Sequence, residues 1–266
     1  MKKLTKLSAA LLAAALMFTA CTGKKAPDPE RLSAEEILQL PTSYGMDDRV
    51  FFPKDFSDVW NRYDGRAPAA VVKGKATSVK YYYGFETEYR CTLVEFQIDE
   101  VIDEYNTAAL KPGDVITLSS SSYIEFTTND GIPSDAFCEF LSEKTGLDIH
   151  DRESFQAARD AYSAKSAKDA AAQKFELIPK KGVEYVFAMA SEYVYPLQEG
   201  ESYTMFVSLA EPLFTFGEEG YFAEYVLPLN EELSYEKLNE KYGWRIKPYF
   251  SVNDEIAAMF KLRRDR

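Results

Sequence analysis

Thr92-Leu93-Val94-Glu95-Phe96-Gln97-Ile98-Asp99 is the stretch that decides the fold class. Thr92, Val94, Phe96 and Ile98 recur at every second position and Glu95, Gln97 and Asp99 fall between them, the two-residue period of a strand with one face buried and one in water. Residues 69–83 before it and 115–126 after it share this β-branched and aromatic character. Gly74 lies mid-strand in the first of these, where a bulge or sharp bend lets a sheet coil into a barrel. Further on, Val183, Tyr185, Phe187 and Met189 alternate with Glu184, Val186 and Ala188. Tyr203, Met205, Val207 and Leu209 alternate with Thr204, Phe206 and Ser208, and residues 221–229 are another strand candidate.

Between these two groups of strands the period becomes helical. Phe137, Phe140 and Leu141 stand at i, i+3 and i+4, with Gly146 as a C-terminal stop. Residues 151–174 form an Ala-rich helix with Phe155, Ala158 and Tyr162 on one face. Ser33-Ala34-Glu35-Glu36 fits a capping box before Ile37-Leu38 and predicts a short helix over 34–40, stopped by Pro41. Further short helices are expected at 57–63, at 234–242 and at 251–261, the last opened by Ser251-Val252-Asn253-Asp254. No internal repeat of 20 to 50 residues is evident. The expectation is an α+β chain: one β domain over 32–266, interrupted by a helical insertion at about 134–174 and flanked by short helices.

Composition agrees with a folded body. The 266 residues are 46% hydrophobic and 28% charged, which excludes a collagen-like, low-complexity or multispanning membrane chain. A formal charge of -12 removes the basic footprint that binding to phosphate backbones requires, so nucleic acid is not an expected partner.

The N-terminus carries an address. Lys2, Lys3 and Lys6 precede an apolar run, residues 7–20, of about 14 residues, short of the roughly 20 that a bilayer-spanning helix needs. Phe18-Thr19-Ala20-Cys21 then resembles the lipobox of bacterial lipoproteins, with Phe18 where that family usually has Leu. The resemblance implies cleavage before Cys21, a diacylglyceryl group on its sulfur, and further acylation such as palmitate. The alternative is an ordinary secretory signal that leaves Cys21 as a thiol. Two acyl chains hold a protein at a membrane far more firmly than one. Removing residues 1–20 takes away three lysines and no acid, so the mature chain is more acidic still and is repelled by anionic headgroups. Residues 22–31, with Gly23, Pro27 and Pro29 and no apolar period, read as a flexible tether of about 30 Å at full extension.

A resemblance also extends to the body. Ala69-Ala70-Val71-Val72-Lys73-Gly74-Lys75-Ala76-Thr77-Ser78-Val79, Leu93-Val94-Glu95-Phe96-Gln97-Ile98-Asp99-Glu100-Val101-Ile102 and Lys111-Pro112-Gly113-Asp114-Val115-Ile116-Thr117-Leu118 are similar to a pattern in secreted proteins of Gram-positive bacteria. Those proteins are similar in turn to the barrels of netrin-type modules and metalloproteinase inhibitors. Glu199-Gly200-Glu201-Ser202-Tyr203-Thr204-Met205-Phe206-Val207 would be a later barrel strand. The resemblance implies an OB-like antiparallel β-barrel, and the helical insertion lies outside it. The inhibitors use a free N-terminal Cys to reach a protease metal. Here that position falls to Cys21, whose acylation would block the same chemistry.

Catalytic signatures are sought in vain. His150 is the only histidine, so multi-His zinc sites are excluded. Asp148, His150 and Asp151 are adjacent in a helix-joining loop, where Asp151 reads as a helix cap and His150 as solvated. Ser119 to Ser122 lack the Gly-x-Ser-x-Gly elbow and read as polar strand. No phosphate-binding Gly loop is present. The pairs Glu95 with Asp99 and Glu218 with Glu219 read as solvated surface rather than as a glycosidase pair. No cofactor and no metal are expected.

Cys91 and Cys138 read as two buried thiols. The alternative is a disulfide closing a loop of about 47 residues and worth roughly 3 to 4 kcal/mol. Tyrosine is abundant, with 18 residues, and Tyr81-Tyr82-Tyr83 and Tyr193-Val194-Tyr195 form clusters. Strand-borne tyrosines either cover a sheet with the hydroxyl in water or form a stacking platform for sugars or peptides. Tyr81, Tyr82 and Tyr83 are therefore the candidate binding residues. The expected activity is non-enzymatic: a membrane-held, extracytoplasmic binding module whose partners are the membrane, through its lipid, and an envelope protein or glycan. The rivals are an inhibitor or self-protective lipoprotein directed at a secreted protein, and a hydrolase with dispersed carboxylates.

Overall fold

Three properties of the chain close its main sheet: long alternating strands, a bend at Gly74, and a return strand that reaches back to the first. The computed structural model describes residues 30–45, 69–84, 90–102, 107–126, 128–129, 132–133, 135–166, 174–210, 215 and 219–247. The expected anchor at Cys21, the tether as far as residue 29 and the helices at 57–63 and 251–261 lie outside them; the tether's last two residues, Glu30 and Arg31, are exposed.

Strand β2 (Ala69–Gly84) pairs antiparallel with β3 (Arg90–Val101), and β3 pairs antiparallel with β4 (Val115–Ser120). β10 (Ser202–Leu209) and β11 (Tyr221–Pro228) form an antiparallel pair. β11 then pairs with β4, and β10 pairs with the first half of β2, from Ser202↔Lys75 to Ser208↔Ala69. The five strands thus run β2-β3-β4-β11-β10 and back to β2, a closed barrel. One pair departs from the all-antiparallel expectation, because β4 and β11 run parallel. Between them in the chain lies β10, so β11 arrives at β4 after crossing the barrel rather than through a hairpin.

The pairing of β2 with β3 shifts register between Lys73 and Gly74 and again between Ala76 and Ser78, which bends the long strand as anticipated at Gly74. Beyond the bend β10 no longer follows, and β8 (Lys174–Leu177) takes its place against Tyr81–Gly84.

The strand expected over 115–126 is two. It breaks at Ser121, and β5 (Ser122–Phe126) leaves the barrel to pair with β9 (Tyr185–Met189), which also takes β1 (Thr42–Tyr44) in parallel. The alternation at 183–189 therefore marks a strand of this separate three-stranded sheet, not of the barrel. Alternation specifies which face is buried and leaves open which strand is the neighbour. Both sheets share one core, in which Phe96, Ile98, Leu118, Tyr203 and Met205 of the barrel are continuous with Phe187 and Met189. A minor hairpin joins β6 (Thr128–Asn129) to β7 (Ile132–Pro133).

Helix α1 (Ala34–Leu38) begins with the expected capping box between Ser33 and Glu36 and buries Ile37 and Leu38. The inserted helices are α2 (Asp135–Thr145), stopped by Gly146 at φ +74, and α3 (Arg152–Ser166). Phe137 and Leu141 of α2 pack with Phe155, Ala158 and Tyr162 of α3 in a second, smaller core. After β11 a single 3-10 turn, Glu231–Leu233, leads to α4 (Tyr235–Tyr242), capped by Ser234 and ended by Gly243 at φ +68.

Part of the tyrosine surplus is structural. Tyr195, Tyr203 and Tyr235 meet edge to face, with centroids 5.7 and 5.1 Å from Tyr195. Tyr195 donates to the Leu233 carbonyl at 2.7 Å and Tyr235 to the Val226 carbonyl at 2.8 Å, which satisfies hydroxyls taken out of water. Burial pushes the Tyr195 and Tyr203 phenols well above their ordinary range.

Candidate functional site

The three candidate tyrosines sit on the second half of β2, held between β3 and β8, so they are not a free sheet edge. All three are half-buried. Tyr81 packs on the main core. Tyr83 is its neighbour on the same face, since strand side chains alternate, and it meets Phe137 of α2 at a centroid distance of 5.2 Å. Tyr82 points the opposite way, its hydroxyl 3.5 Å from a carboxylate oxygen of Glu176 on β8.

Tyr82 and Tyr83 line a cleft of about 560 Å³ where the end of the β2–β3 hairpin, β5, β8, β9 and α2 come together. Its lining is mainly apolar, with Phe126, Phe137, Leu177 and Val186 contributing. The rings are ordered against each other: Phe126 stacks on Phe137 at 5.3 Å and tilts against Tyr185 at 5.4 Å. Tyr81 does not reach the cleft lining.

One ion pair crosses this aromatic wall. Arg90 stands opposite Tyr83 in the β2–β3 register, and its guanidinium carbon lies 5.1 Å from the Tyr83 ring centroid. The same guanidinium bonds a carboxylate oxygen of Glu125 on β5. The side chains are 34% and 27% exposed, so the pair is partly desolvated yet open to a ligand. Arginine suits this place because its planar cation stacks on an aromatic face while its N–H groups engage a carboxylate. A ligand offering its own carboxylate or carbonyl can share Arg90, and apolar groups can occupy the rings beneath.

Sequence reasoning named Tyr82 and Tyr83 but not Arg90, Glu125, Phe126 or Phe137. The only signal was indirect, the helical spacing that made Phe137 a core residue.

The other candidates are scattered. His150 is exposed, its Nε2 3.7 Å from Asp151. Asp151 caps α3: its Oδ1 accepts from the Ser154 N–H at 2.8 Å and from the Ser154 hydroxyl at 2.7 Å, and these bonds hold its carboxyl below the usual range. Glu95 and Asp99 are exposed on the outer face of β3. Among the described residues the carboxyls whose acidity the fold changes are Glu35, Glu36, Asp151 and Glu192. Each is lowered, chiefly by hydrogen bonds from Lys241 and Tyr242, from Ser33, from Ser154 and from Lys247 respectively. A general acid needs the opposite shift. Among the described residues no group of three or more His, Cys, Asp or Glu is placed to hold a metal. Cys91 is buried in β3 and Cys138 half-buried on α2, and they are thiols rather than partners in a disulfide. Ser119 and Ser120 end β4, and Ser122 opens β5 with its hydroxyl oxygen 3.1 Å from that of Ser120, so the serine run is a corner between sheets.

No family model matches the chain, and neither a curated protein nor a solved structure matches it. Fold and site therefore define a class of architecture: a closed five-stranded mixed barrel with a second sheet, a docked helix pair and an aromatic cleft between them. No helix of the described residues is long and apolar enough to cross a membrane.

Proposed function

We propose that the protein is a lipid-anchored, extracytoplasmic binding module, with an OB-like barrel that holds another envelope component in the cleft at Tyr82 and Tyr83 and performs no covalent chemistry. The observation that carries the binding reading is that cleft: an aromatic floor crossed by the half-exposed Arg90–Glu125 pair, a combination of ring area and one directional charge that recognition surfaces favour. The OB-like assignment is supported by the strand order β2-β3-β4-β11-β10, since the OB-fold is a five-stranded Greek-key barrel. The anchor is supported by the basic start, the short apolar run and the Ala20-Cys21 junction.

Two experiments test the parts separately. Replacing Cys21 by Ala is expected to abolish fatty-acid labelling and to release the protein from the membrane fraction; a variant that stays membrane-bound, together with an unlabelled native chain, removes the anchor. For the cleft, partners crosslinked to the native chain in its envelope are compared with those of Tyr82→Ser/Tyr83→Ser and of Arg90→Leu. The expected result is loss of the same partner from both variants with folding intact. Unchanged recovery removes the cleft, and turnover of a glycan or peptide that one carboxylate substitution abolishes overturns the non-enzymatic reading.

A further inference from the structure

β4 and β11 run side by side for only two register pairs, Tyr221↔Leu118 and Phe222↔Ser119. Past that point β4 turns off at Ser121 toward β5, while β11 continues along β10. The barrel seam opens there into a second pocket of about 260 Å³, which shares no lining residue with the aromatic cleft. Its walls are the corner at Ser119–Ser121, the segment 190–195 after β9, and the stretch 222–226 of β11.

The chemistry of this pocket is unlike that of the cleft. Ser119, Ser120, Ser191, Tyr193 and Glu224 line it together with Phe222, the last three half-buried, and the described residues that line it include no Lys, Arg or His. Within the protein Ser120 is paired with Ser122, and the Glu224 carboxylate accepts from the Ser208 hydroxyl at 3.3 Å. Ser119 and Ser120 are buried, so their hydroxyls face the interior or the pocket rather than bulk water. The β11 wall is also shaped by a backbone irregularity. Register with β10 slips between Thr204↔Leu227 and Phe206↔Glu224, and within the slip Tyr225 takes φ +48, the left-handed region that a bulky side chain seldom adopts. Bulges of this kind re-aim side chains, and an outlier held by its surroundings points toward function.

We infer that the seam pocket binds a neutral polyhydroxylated ligand one sugar ring in size. Serine and tyrosine hydroxyls both donate and accept, which matches the mixed demand of adjacent sugar hydroxyls, and the Glu224 carboxylate has acceptor capacity beyond the bond it takes from Ser208. The half-buried rings of Tyr193 and Phe222 offer a flat surface to the C–H face of a pyranose, whereas Tyr225 is buried against Phe206. Without a cation the pocket has nothing to neutralise an anionic ligand, and one carboxylate falls far short of the six or more oxygens of a calcium site. The volume lies just under the range for drug-sized ligands, as a single ring requires.

The test uses the full chain in a detergent whose headgroup is not a sugar. Glucose, mannose and N-acetylglucosamine are titrated in turn and followed by ligand-observed NMR, with methylammonium and acetate as charged controls. Saturable binding of a neutral sugar is expected, weakened about tenfold or more in Glu224→Gln, which keeps the side chain's shape. Tyr193→Ala, at a half-buried position outside the strands, is expected to weaken it as well, whereas Tyr82→Ser/Tyr83→Ser leaves it unchanged. That last comparison separates this pocket from the cleft. Absence of saturable binding by all three sugars overturns the inference. So does binding that is indifferent to both Glu224→Gln and Tyr193→Ala, or binding of methylammonium in place of the sugars.

Discussion

Gly74 of β2 lies so close to Gln97 of β3 that a β-carbon added to the glycine would sit 2.1 Å from the Gln97 carbonyl oxygen and 2.8 Å from the Phe96 ring. The neighbour is backbone on one side and a fully buried ring on the other, so neither can yield cheaply. Here the need for glycine is the approach of two strands at the register shift that bends β2 into the barrel. Gly74→Ala is therefore expected to destabilise the fold by about 2–3 kcal/mol, in the range of overpacked cores. Chemical denaturation checks this, and a variant as stable as the native chain would show that the strands do not meet as described.

Thr204 presents the opposite situation. It is buried in β10 at the edge of the register shift against β11, and none of the described residues gives its hydroxyl a hydrogen-bond partner. Thr204→Val replaces that hydroxyl by a methyl of similar volume and removes a desolvated polar atom. The expected gain is about 1 kcal/mol, or roughly 2–4 °C in thermal midpoint for a chain of this size. A fall in midpoint would mean that the hydroxyl is satisfied.

How much of this was legible depends on what each pattern encodes. In β3, Thr92, Val94, Phe96 and Ile98 are buried and Glu95, Gln97 and Asp99 are exposed, as their alternation demands. The face was readable because burial acts on each side chain separately. Capping at Ser33 and the face Phe155, Ala158 and Tyr162 were readable for the same local reason. β9 shows the limit: its alternation was real, yet it belongs with β1 and β5, a choice settled by the break at Ser121 and not by its own residues. The cleft shows it more strongly. Arg90 and Glu125 are 35 residues apart, and Tyr83 and Phe137 meet only because α2 docks on the far end of β2. Nothing local in the chain pairs such residues.

Glu36 supplies a pH-dependent prediction. The Ser33 backbone N–H donates to its carboxylate at 2.7 Å, the Ser33 hydroxyl assists, and the Lys181 ammonium lies 3.1 Å away; together they lower its pKa from 4.5 to about 2. A depressed carboxyl stabilises the folded chain above its unfolded pKa and loses that contribution as pH falls toward the folded value. The window is therefore between about 4.5 and about 2. Because the group is exposed, solvent screening keeps the effect small. NMR titration should find Glu36 still ionised near pH 3, with Ser33→Ala, which removes the hydroxyl and keeps the backbone donor, raising its pKa only part of the way toward 4.5. A full return to the ordinary value in Ser33→Ala would mean that the hydroxyl and not the backbone N–H holds the proton off.

Phe137 joins stability to the proposed binding site. It is 1% exposed and touches rings from three directions: Tyr83 of β2 at 5.2 Å, Phe126 of β5 at 5.3 Å and Phe155 of α3 at 6.0 Å. It is thus both the centre of the smaller core and part of the cleft floor. Truncation to Ala removes one ring from each contact, at an expected cost of about 3–5 kcal/mol. Because the smaller core involves α2 and α3 and the closed barrel does not, hydrogen exchange should rise first in those helices and in β5, while β3 and β10 keep their protection. Phe137→Leu retains most of the volume and should restore much of the stability while still lacking the stacked ring. In that variant the crosslinked partner should be weakened although the helices stay docked. Equal loss of protection in β3 and β10 on Phe137→Ala would show that the helix pair and the barrel unfold as one unit, and full partner recovery by Phe137→Leu would remove the ring from the recognition surface.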